Sequence, residues 1–273
     1  MKRFFIVGAQ KLYLSLGDSI KFAEQLVART KSSELSFDVA VCPSFINLGH
    51  VADVLRGSRI ALGAQNVHQE SSGAFTGQVS MVELMGLGIR KVIIGHSELR
   101  SQLGETNGMI KRKVEICLKH RVTPIVCVGE NRDQRAAGKS MDVIRRDVTE
   151  ALSGIAFDED GGEERLVIAY EPVWAIRGGR DDEMTRNASP ELANEMHDHI
   201  RDVISGTHNP ELAERIRILY GGSVDSSNTE SLLKKPSING LLVGTASISL
   251  DSFLSILNTA QAVATARLQG SLS

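Results

Sequence analysis

Short apolar runs alternate along this chain with longer segments in which apolar residues recur at helical spacing. Ile20, Ala23, Leu26 and Val27 share one face of such a segment, and so do Ile110, Val114, Cys117 and Leu118, and Leu192, Met196, His199 and Ile200. The short runs are continuously apolar, which is typical of parallel strands buried on both faces. There are eight of them, at residues 4–7, 37–42, 60–62, 91–94, 122–128, 166–170, 216–220 and 241–243.

Strands that alternate with helices indicate parallel pairing through right-handed crossovers. Eight such units in 273 residues predict a single α/β domain, a closed (β/α)8 barrel that spans residues 1–273. An open doubly wound sheet is the alternative, but no Gly-x-Gly-x-x-Gly follows the first strand, which disfavours its dinucleotide-binding form. The tail from about residue 268 is small and polar, and we expect it to fray.

Composition narrows the classes of partner. A net charge of −2 gives no electrostatic reason to expect nucleic acid or an anionic membrane, and no apolar run is long enough to span a bilayer. The three cysteines, Cys42, Cys117 and Cys127, are odd in number and lack metal-type spacing. They favour reduced thiols in a cytoplasmic protein, with no metal and no cofactor implied.

Polar side chains follow several of the predicted strands where each ends. In a barrel these carboxyl ends share one rim, which is where such folds carry their chemistry. Glu171 ends the sixth run, and Pro172 makes the chain leave the sheet there. A carboxylate held partly out of water at that point is a usable base. Lys11 follows the first strand and His96 the fourth, so the rim combines a cation, an imidazole and a base.

Two features of the same rim suit a substrate that has both a carbonyl group and a phosphate. His96 stands where a short helix is expected to begin, and the helix dipole there disfavours the imidazolium form. A neutral imidazole can donate a hydrogen bond to a carbonyl oxygen. The turns 221–223 and 244–246 after the last two strands contain glycine with Ser or Thr, and each is expected to open a helix whose N–H groups hold a phosphate.

Six stretches, in order along nearly the whole chain, closely resemble the triosephosphate isomerase family. They are Gly-Ala-Phe-Thr-Gly at 73–77, Ile-Gly-His-Ser-Glu at 94–98, Gly-Glu-Thr at 104–106, Cys-Val-Gly-Glu at 127–130, Ala-Tyr-Glu-Pro-Val-Trp-Ala-Ile at 169–176 and Tyr-Gly-Gly-Ser-Val at 220–224. The resemblance implies an aldose–ketose isomerase that interconverts glyceraldehyde 3-phosphate and dihydroxyacetone phosphate in glycolysis and gluconeogenesis.

The resemblance also implies a role for each site residue. Glu171 would be the base, His96 the proton donor to the enediolate oxygens, and Lys11 the positive charge that stabilises them. Glu98 would be a rim carboxylate that pairs with Lys11. The phosphate would be held by Ser223, Gly244, Thr245 and Arg177. A lid loop at about 172–190 would close over the substrate, and the loop that carries Gln65 and Thr76 would dock into a second copy in a homodimer.

The sequence departs from the family pattern around this trio. The family reads Gly-Asn-Trp-Lys after the first strand, whereas this chain has Ala9 and Gln10 before Lys11. In the predicted lid, Arg177 stands where the family has its first glycine, and the lid is lengthened through Asn187. Thr245 stands where the family has a glycine, and Gln78 stands where it has an acidic residue. Two alternatives therefore stay open: an isomerase for a four-carbon ketose phosphate such as an erythrulose phosphate, and a non-catalytic relative that binds a phosphorylated ligand.

Overall fold

Eight parallel strands close into a barrel in which each strand pairs with its neighbours in chain order and β1 pairs with β8. The computed structural model describes residues 2–31, 34–157, 166–176 and 188–270. The strands are β1 Phe5–Ala9, β2 Asp38–Cys42, β3 Ile60–Ala64, β4 Lys91–Ile94, β5 Thr123–Val128, β6 Val167–Tyr170, β7 Arg217–Tyr220 and β8 Gly240–Val243. The predicted (β/α)8 barrel and all eight predicted strands are confirmed.

Helices follow the strands and pack around the barrel. They are α1 Leu16–Thr30, α2 Leu48–Leu55, α3 Met81–Gly86, α4 Ser97–Leu103, α5 Asn107–Lys119, α6 Arg132–Ala136, α7 Ser140–Leu152, α8 Pro190–Thr207, α9 Pro210–Arg215, α10 Thr229–Leu233 and α11 Leu250–Leu268. Single 3-10 turns occur at Phe45–Asn47, Val173–Ala175 and Thr245–Ser247. Within the described residues, no helix combines the length and the apolar character that a membrane crossing requires.

Local sequence signals set where several helices begin. Ser15 caps α1 by accepting a hydrogen bond from the Asp18 amide, and Ser80 forms a capping box with Glu83 at α3. Ser189 caps α8 in the same way, with Pro190 at the first helical position, where its missing N–H costs nothing. The start of α8 is therefore set by local sequence.

The core has an inner and an outer layer because alternate residues of each strand face opposite sides. In β1, Phe5, Val7 and Ala9 belong to the cluster inside the barrel, whereas Ile6 packs in the layer between strands and helices. Both layers are almost fully excluded from water, which explains the continuous apolar runs. The burial makes the strands rigid supports for the side chains at their carboxyl ends.

Two local expectations were wrong. The first and third strands were predicted to end at residues 7 and 62, but β1 also includes Gly8-Ala9 and β3 also includes Gly63-Ala64. On α8, His199 was placed on the apolar face, whereas His197 is the fully buried histidine and His199 is half-buried. The buried stripe of α8 is Ala193, Met196, His197, Ile200, Val203 and Ile204.

Candidate active site

The carboxyl-terminal rim of the barrel surrounds a cavity of about 320 Å3. Lys11, His96 and Glu171, three residues predicted from their positions after separate strands, all line it. Three residues from the predicted phosphate turns line it as well, namely Ser223, Gly244 and Thr245. The rim therefore brings a base, an imidazole, a cation and two glycine-bearing turns around one small space.

Glu171 is buried at the end of β6, with only 2% of the residue exposed. Its amide donates to the carbonyl of Val128, which continues the sheet pairing for one residue past the strand. Its carboxylate has two separate neighbours: Oε2 accepts a hydrogen bond of 2.9 Å from the amide of Ser97, and Oε1 lies 3.2 Å from Nε2 of His96. The carboxylate thus faces the cavity and the start of α4 together.

Two glycines make room for Glu171, one beside its backbone and one beside its side chain. A Cβ at Gly129 would lie 1.7 Å from the carbonyl oxygen of Glu171, and one at Gly221 would lie 3.0 Å from its Cγ. Real Cβ atoms do not approach backbone as closely as 1.7 Å, so only glycine fits at position 129 beside the end of β6. Sequence reasoning read Gly221 only as part of a phosphate turn and missed this packing role.

His96 immediately precedes α4 and caps it, as the sequence predicted. Its Nδ1 accepts a hydrogen bond of 3.3 Å from the amide of Glu98, so Nδ1 carries no proton in this arrangement. In the neutral ring the proton is then on Nε2, the nitrogen that points at Glu171. The imidazole therefore presents Nε2 as its donor towards the cavity.

Lys11 occupies a left-handed backbone conformation, with φ of 52°, which is uncommon for a residue other than glycine. Gln65 holds this turn, since its side-chain amide donates to the carbonyl oxygens of Lys11 and Cys42 at 3.0 and 2.9 Å. The ammonium group of Lys11 pairs with Oε1 of Glu98 at 2.6 Å, the partner that the family resemblance implied. The strained backbone aims a cation across the cavity.

The two turns expected to hold phosphate differ from the helix starts predicted for them. Helix α10 begins only at Thr229, six residues after Ser223, and a 3-10 turn rather than an α-helix follows Gly244. The hydroxyl of Ser223 donates to the carbonyl of Ala175, which links this turn to the segment after Glu171. Arg177, the fourth expected phosphate ligand, lies outside the described residues, as does the rest of the predicted lid up to Asn187.

A buried carboxylate that sequence reasoning passed over supports the segment after Glu171. Glu130 follows β5 and is fully buried, yet it accepts hydrogen bonds from the hydroxyl of Tyr170 at 3.1 Å and from Nε1 of Trp174 at 2.8 Å. Its carbonyl accepts the amide of Val173 at 3.1 Å. Burial and the Glu130 carboxylate raise the pKa of Tyr170, so its hydroxyl stays a donor. The sequence motif at 127–130 includes this residue, but the motif alone did not indicate its supporting role.

Comparison with known proteins agrees with this geometry. The family model described as triosephosphate isomerase matches residues 4–260. The chain is 41% identical over 258 residues to the triosephosphate isomerase of Caldanaerobacter subterraneus subsp. tengcongensis, and the match covers 94% of this chain and 100% of that protein.

The chain belongs to the triosephosphate isomerase family. It is also similar to the triosephosphate isomerases of Carboxydothermus hydrogenoformans, with 40% identity, and of Roseiflexus sp. (strain RS-1), with 42% identity, over 94% of this chain and 98% of each relative. Family membership is thus shown over nearly the whole barrel, and the resemblance inferred from six short stretches is confirmed.

The remaining predicted residue, Thr76, is exposed in the long segment between β3 and α3. Near it, the ring of Phe75 packs against that of His68 with the centroids 4.2 Å apart and the planes tilted by 39°, and Phe75 is 42% exposed. Exposed apolar side chains also occur in the segments after β1, β2 and β4, at Leu12, Tyr13, Ile46 and Leu103. Because β1 to β4 are consecutive in the barrel, these segments adjoin one another at one side of the rim.

Proposed function

We propose that this protein interconverts glyceraldehyde 3-phosphate and dihydroxyacetone phosphate through an enediolate, as a member of the triosephosphate isomerase family. The observation that carries the proposal is the convergence of Glu171, His96 and Lys11 on one small cavity, with Glu171 and His96 3.2 Å apart. No cofactor is needed, because the reaction moves protons between adjacent carbons and changes no overall oxidation state.

In this proposal Glu171 removes a proton from the carbon beside the carbonyl. The electron pair of that C–H bond forms the carbon–carbon double bond, and the carbonyl oxygen becomes an oxyanion. The Nε2 proton of His96 and the ammonium of Lys11 stabilise that oxygen, because both are donors fixed in place before substrate arrives. His96 gives its Nε2 proton to that oxyanion and takes the hydroxyl proton from the oxygen on the neighbouring carbon, so the negative charge moves to the second oxygen. Glu171 then returns its proton to the carbon that was the carbonyl carbon, while the second oxygen forms the new carbonyl, which completes the isomerisation.

The phosphate group is assigned to the other side of the cavity. Ser223, Gly244 and Thr245 line that side, and a Cβ added to Gly244 would lie only 3.7 Å from Cε of Lys11. The Lys11 cation therefore lies between the reacting carbons and the phosphate in this arrangement. We include Arg177 in the phosphate site on the resemblance alone.

The experiment that tests the proposal compares wild-type protein with Glu171→Gln in a coupled isomerase assay. Removal of a positioned base typically costs about 10²–10⁴-fold or more in kcat. Binding of inorganic phosphate should persist, because the phosphate side of the cavity is unchanged. Glu115→Gln, at an exposed site on α5, is the matched control and should keep full activity. An E171Q protein with most of the wild-type kcat would exclude Glu171 as the base.

The same assay decides between the two open alternatives. Ala9, which lines the cavity where the family pattern has Asn, is the departure that raised the four-carbon alternative, and the relatives of about 40% identity favour neither alternative. A higher kcat/KM for erythrulose phosphates than for the three-carbon substrates would support that alternative. Phosphate binding without turnover of any of these substrates would support a non-catalytic binder.

We also propose that two copies of the chain associate through the exposed apolar side of the rim. Leu12 is 90% exposed and Ile46 is 83% exposed, on adjoining segments, which is unfavourable unless another surface covers them. The segment that carries Gln65 and Thr76 belongs to the same side and would form part of the contact. Ile46→Glu should convert a dimer into monomers in sedimentation analysis, whereas Met141→Glu, at a half-exposed apolar site on α7, should not. A monomeric wild type would exclude the dimer.

A cytoplasmic location is part of the same proposal. Cys42, Cys117 and Cys127 are all buried as free thiols. Burial raises the pKa of Cys42 to about 12, so this thiol is held in its unreactive protonated form. Such thiols suit a reducing compartment, and cell fractionation would test the location.

A further inference from the structure

Arg135 contacts both groups that hold the segment after Glu171. Its guanidinium lies over the ring of Trp174, with 4.0 Å between Cζ and the ring centroid, which is within the range of a cation–π contact. Its Nη1 lies 3.7 Å from Oε1 of Glu130, the same oxygen that accepts the indole N–H of Trp174. Arg135, Glu130 and Trp174 therefore form a closed set of three contacts.

The charge balance makes Arg135 important to this set. Glu130 is fully buried, and a buried carboxylate without a cation is costly. In the described part of the chain, Arg135 is the only cation within 4.0 Å of that carboxylate. Arg135 itself is 37% exposed at its side chain, so it remains partly hydrated while it neutralises Glu130 and covers the indole.

The set is mechanically connected to the base. Trp174 is three residues after Glu171, in the 3-10 turn Val173–Ala175, and the amides of both Glu171 and Val173 are bonded to the segment 128–130. Release of the indole would remove the side-chain hydrogen bond to Glu130 that supports this turn beside those backbone contacts. Glu171 and the residues of the 3-10 turn after it would then spend a smaller fraction of the time in the arrangement that the reaction requires.

We propose that Arg135 is a positioning residue for the reaction, acting through Trp174 and Glu130 on the segment that carries Glu171. Arg135 lies outside the cavity and touches no reacting atom. The inference rests on the proposed isomerase function for its kinetic effect, but the contact itself can be tested without substrate, because Trp174 is the only tryptophan of the chain.

The first test is spectroscopic. In Arg135→Met the aliphatic stem remains and the charge is lost. The fluorescence emission of Trp174 should therefore move to longer wavelength, and its indole should become more accessible to quenching by acrylamide. Arg135→Lys, which keeps a cation, should stay close to wild type. Arg145→Met, an exposed arginine on α7, is the control and should leave the emission unchanged. Unchanged emission in R135M would overturn the proposal, whether or not the protein is an isomerase.

The second test is a double-mutant cycle on kcat/KM with Arg135→Met and Trp174→Phe. A cation–π contact of ordinary strength predicts a loss of about 2- to 30-fold for R135M. If Arg135 acts through the indole, the double variant should be little worse than Trp174→Phe alone, and R135K should recover most of the loss. Losses that multiply, or an R135M protein with wild-type kcat/KM, would overturn the proposal. Arg135→Gln repeats the cycle should R135M fail to fold.

Discussion

Replacement of Ala9 by asparagine tests whether the space beside β1 sets the size of the substrate. Ala9 ends β1, is 4% exposed, and faces into the barrel where it lines the cavity with Lys11 and Glu171. An asparagine there would occupy part of the roughly 320 Å3 and would direct an amide at the substrate oxygens. Both effects favour the three-carbon substrate over a four-carbon one.

The magnitude follows from one hydrogen bond. A neutral hydrogen bond contributes about 0.5–1.5 kcal/mol, which is roughly 2- to 10-fold in kcat/KM. Ala9→Asn should therefore raise kcat/KM for glyceraldehyde 3-phosphate by about that factor, and lower it for a four-carbon ketose phosphate through the lost room. The gain is small beside the loss expected for Glu171→Gln, so wild-type protein should already turn over the three-carbon substrate.

The assay measures kcat/KM for both substrates in wild type, Ala9→Asn and the control Ala262→Asn, which lies at an exposed site on α11. Extra atoms in a packed position cost about 1–3 kcal/mol of stability, so a urea titration is run beside the kinetics to separate unfolding from altered specificity. A ratio of the two kcat/KM values that does not change on Ala9→Asn would refute the reasoning. The absence of four-carbon activity in every variant would leave Ala9 as a tolerated substitution.

Two further predictions concern histidines. Because Nδ1 of His96 accepts the Glu98 amide, 15N NMR should show the Nε2-protonated tautomer of the neutral ring, and a ring protonated at Nδ1 alone would contradict the geometry. His96→Gln should lower kcat by about 10²–10⁴-fold. Burial lowers the pKa of His197 to about 3, below the value near 6.5 in the unfolded chain. The stability that depends on its neutral form is therefore complete above pH 6.5 and is lost as the pH falls towards 3. When the pH falls from 7 to 4.5, the unfolding free energy measured by urea titration should decrease in His197→Asn by on the order of 2–3 kcal/mol less than it decreases in wild type. Equal decreases in the two proteins would exclude His197 as a contributor.

Sequence alone was sufficient for the architecture because the barrel buries both faces of every strand. That burial requires continuous apolar runs, so all eight strands were recognisable, and their ends differ from prediction by only a few residues. The rule that barrel chemistry lies at the carboxyl ends then brought Lys11, His96 and Glu171 together. Each of these inferences depends on local pattern and on a property common to the fold.

Tertiary structure decided what depends on rotation and on contacts between distant segments. Helical spacing placed His199 in the core of α8, but the packing of that helix buries His197 instead, since the two positions face different sides and only the neighbours select one. The support of Lys11 by Gln65, of Glu171 by the Ser97 amide, and of Trp174 by Glu130 and Arg135 joins residues from separate βα units. No local pattern encodes such contacts, because a side-chain amide or guanidinium finds its partner only when the barrel closes.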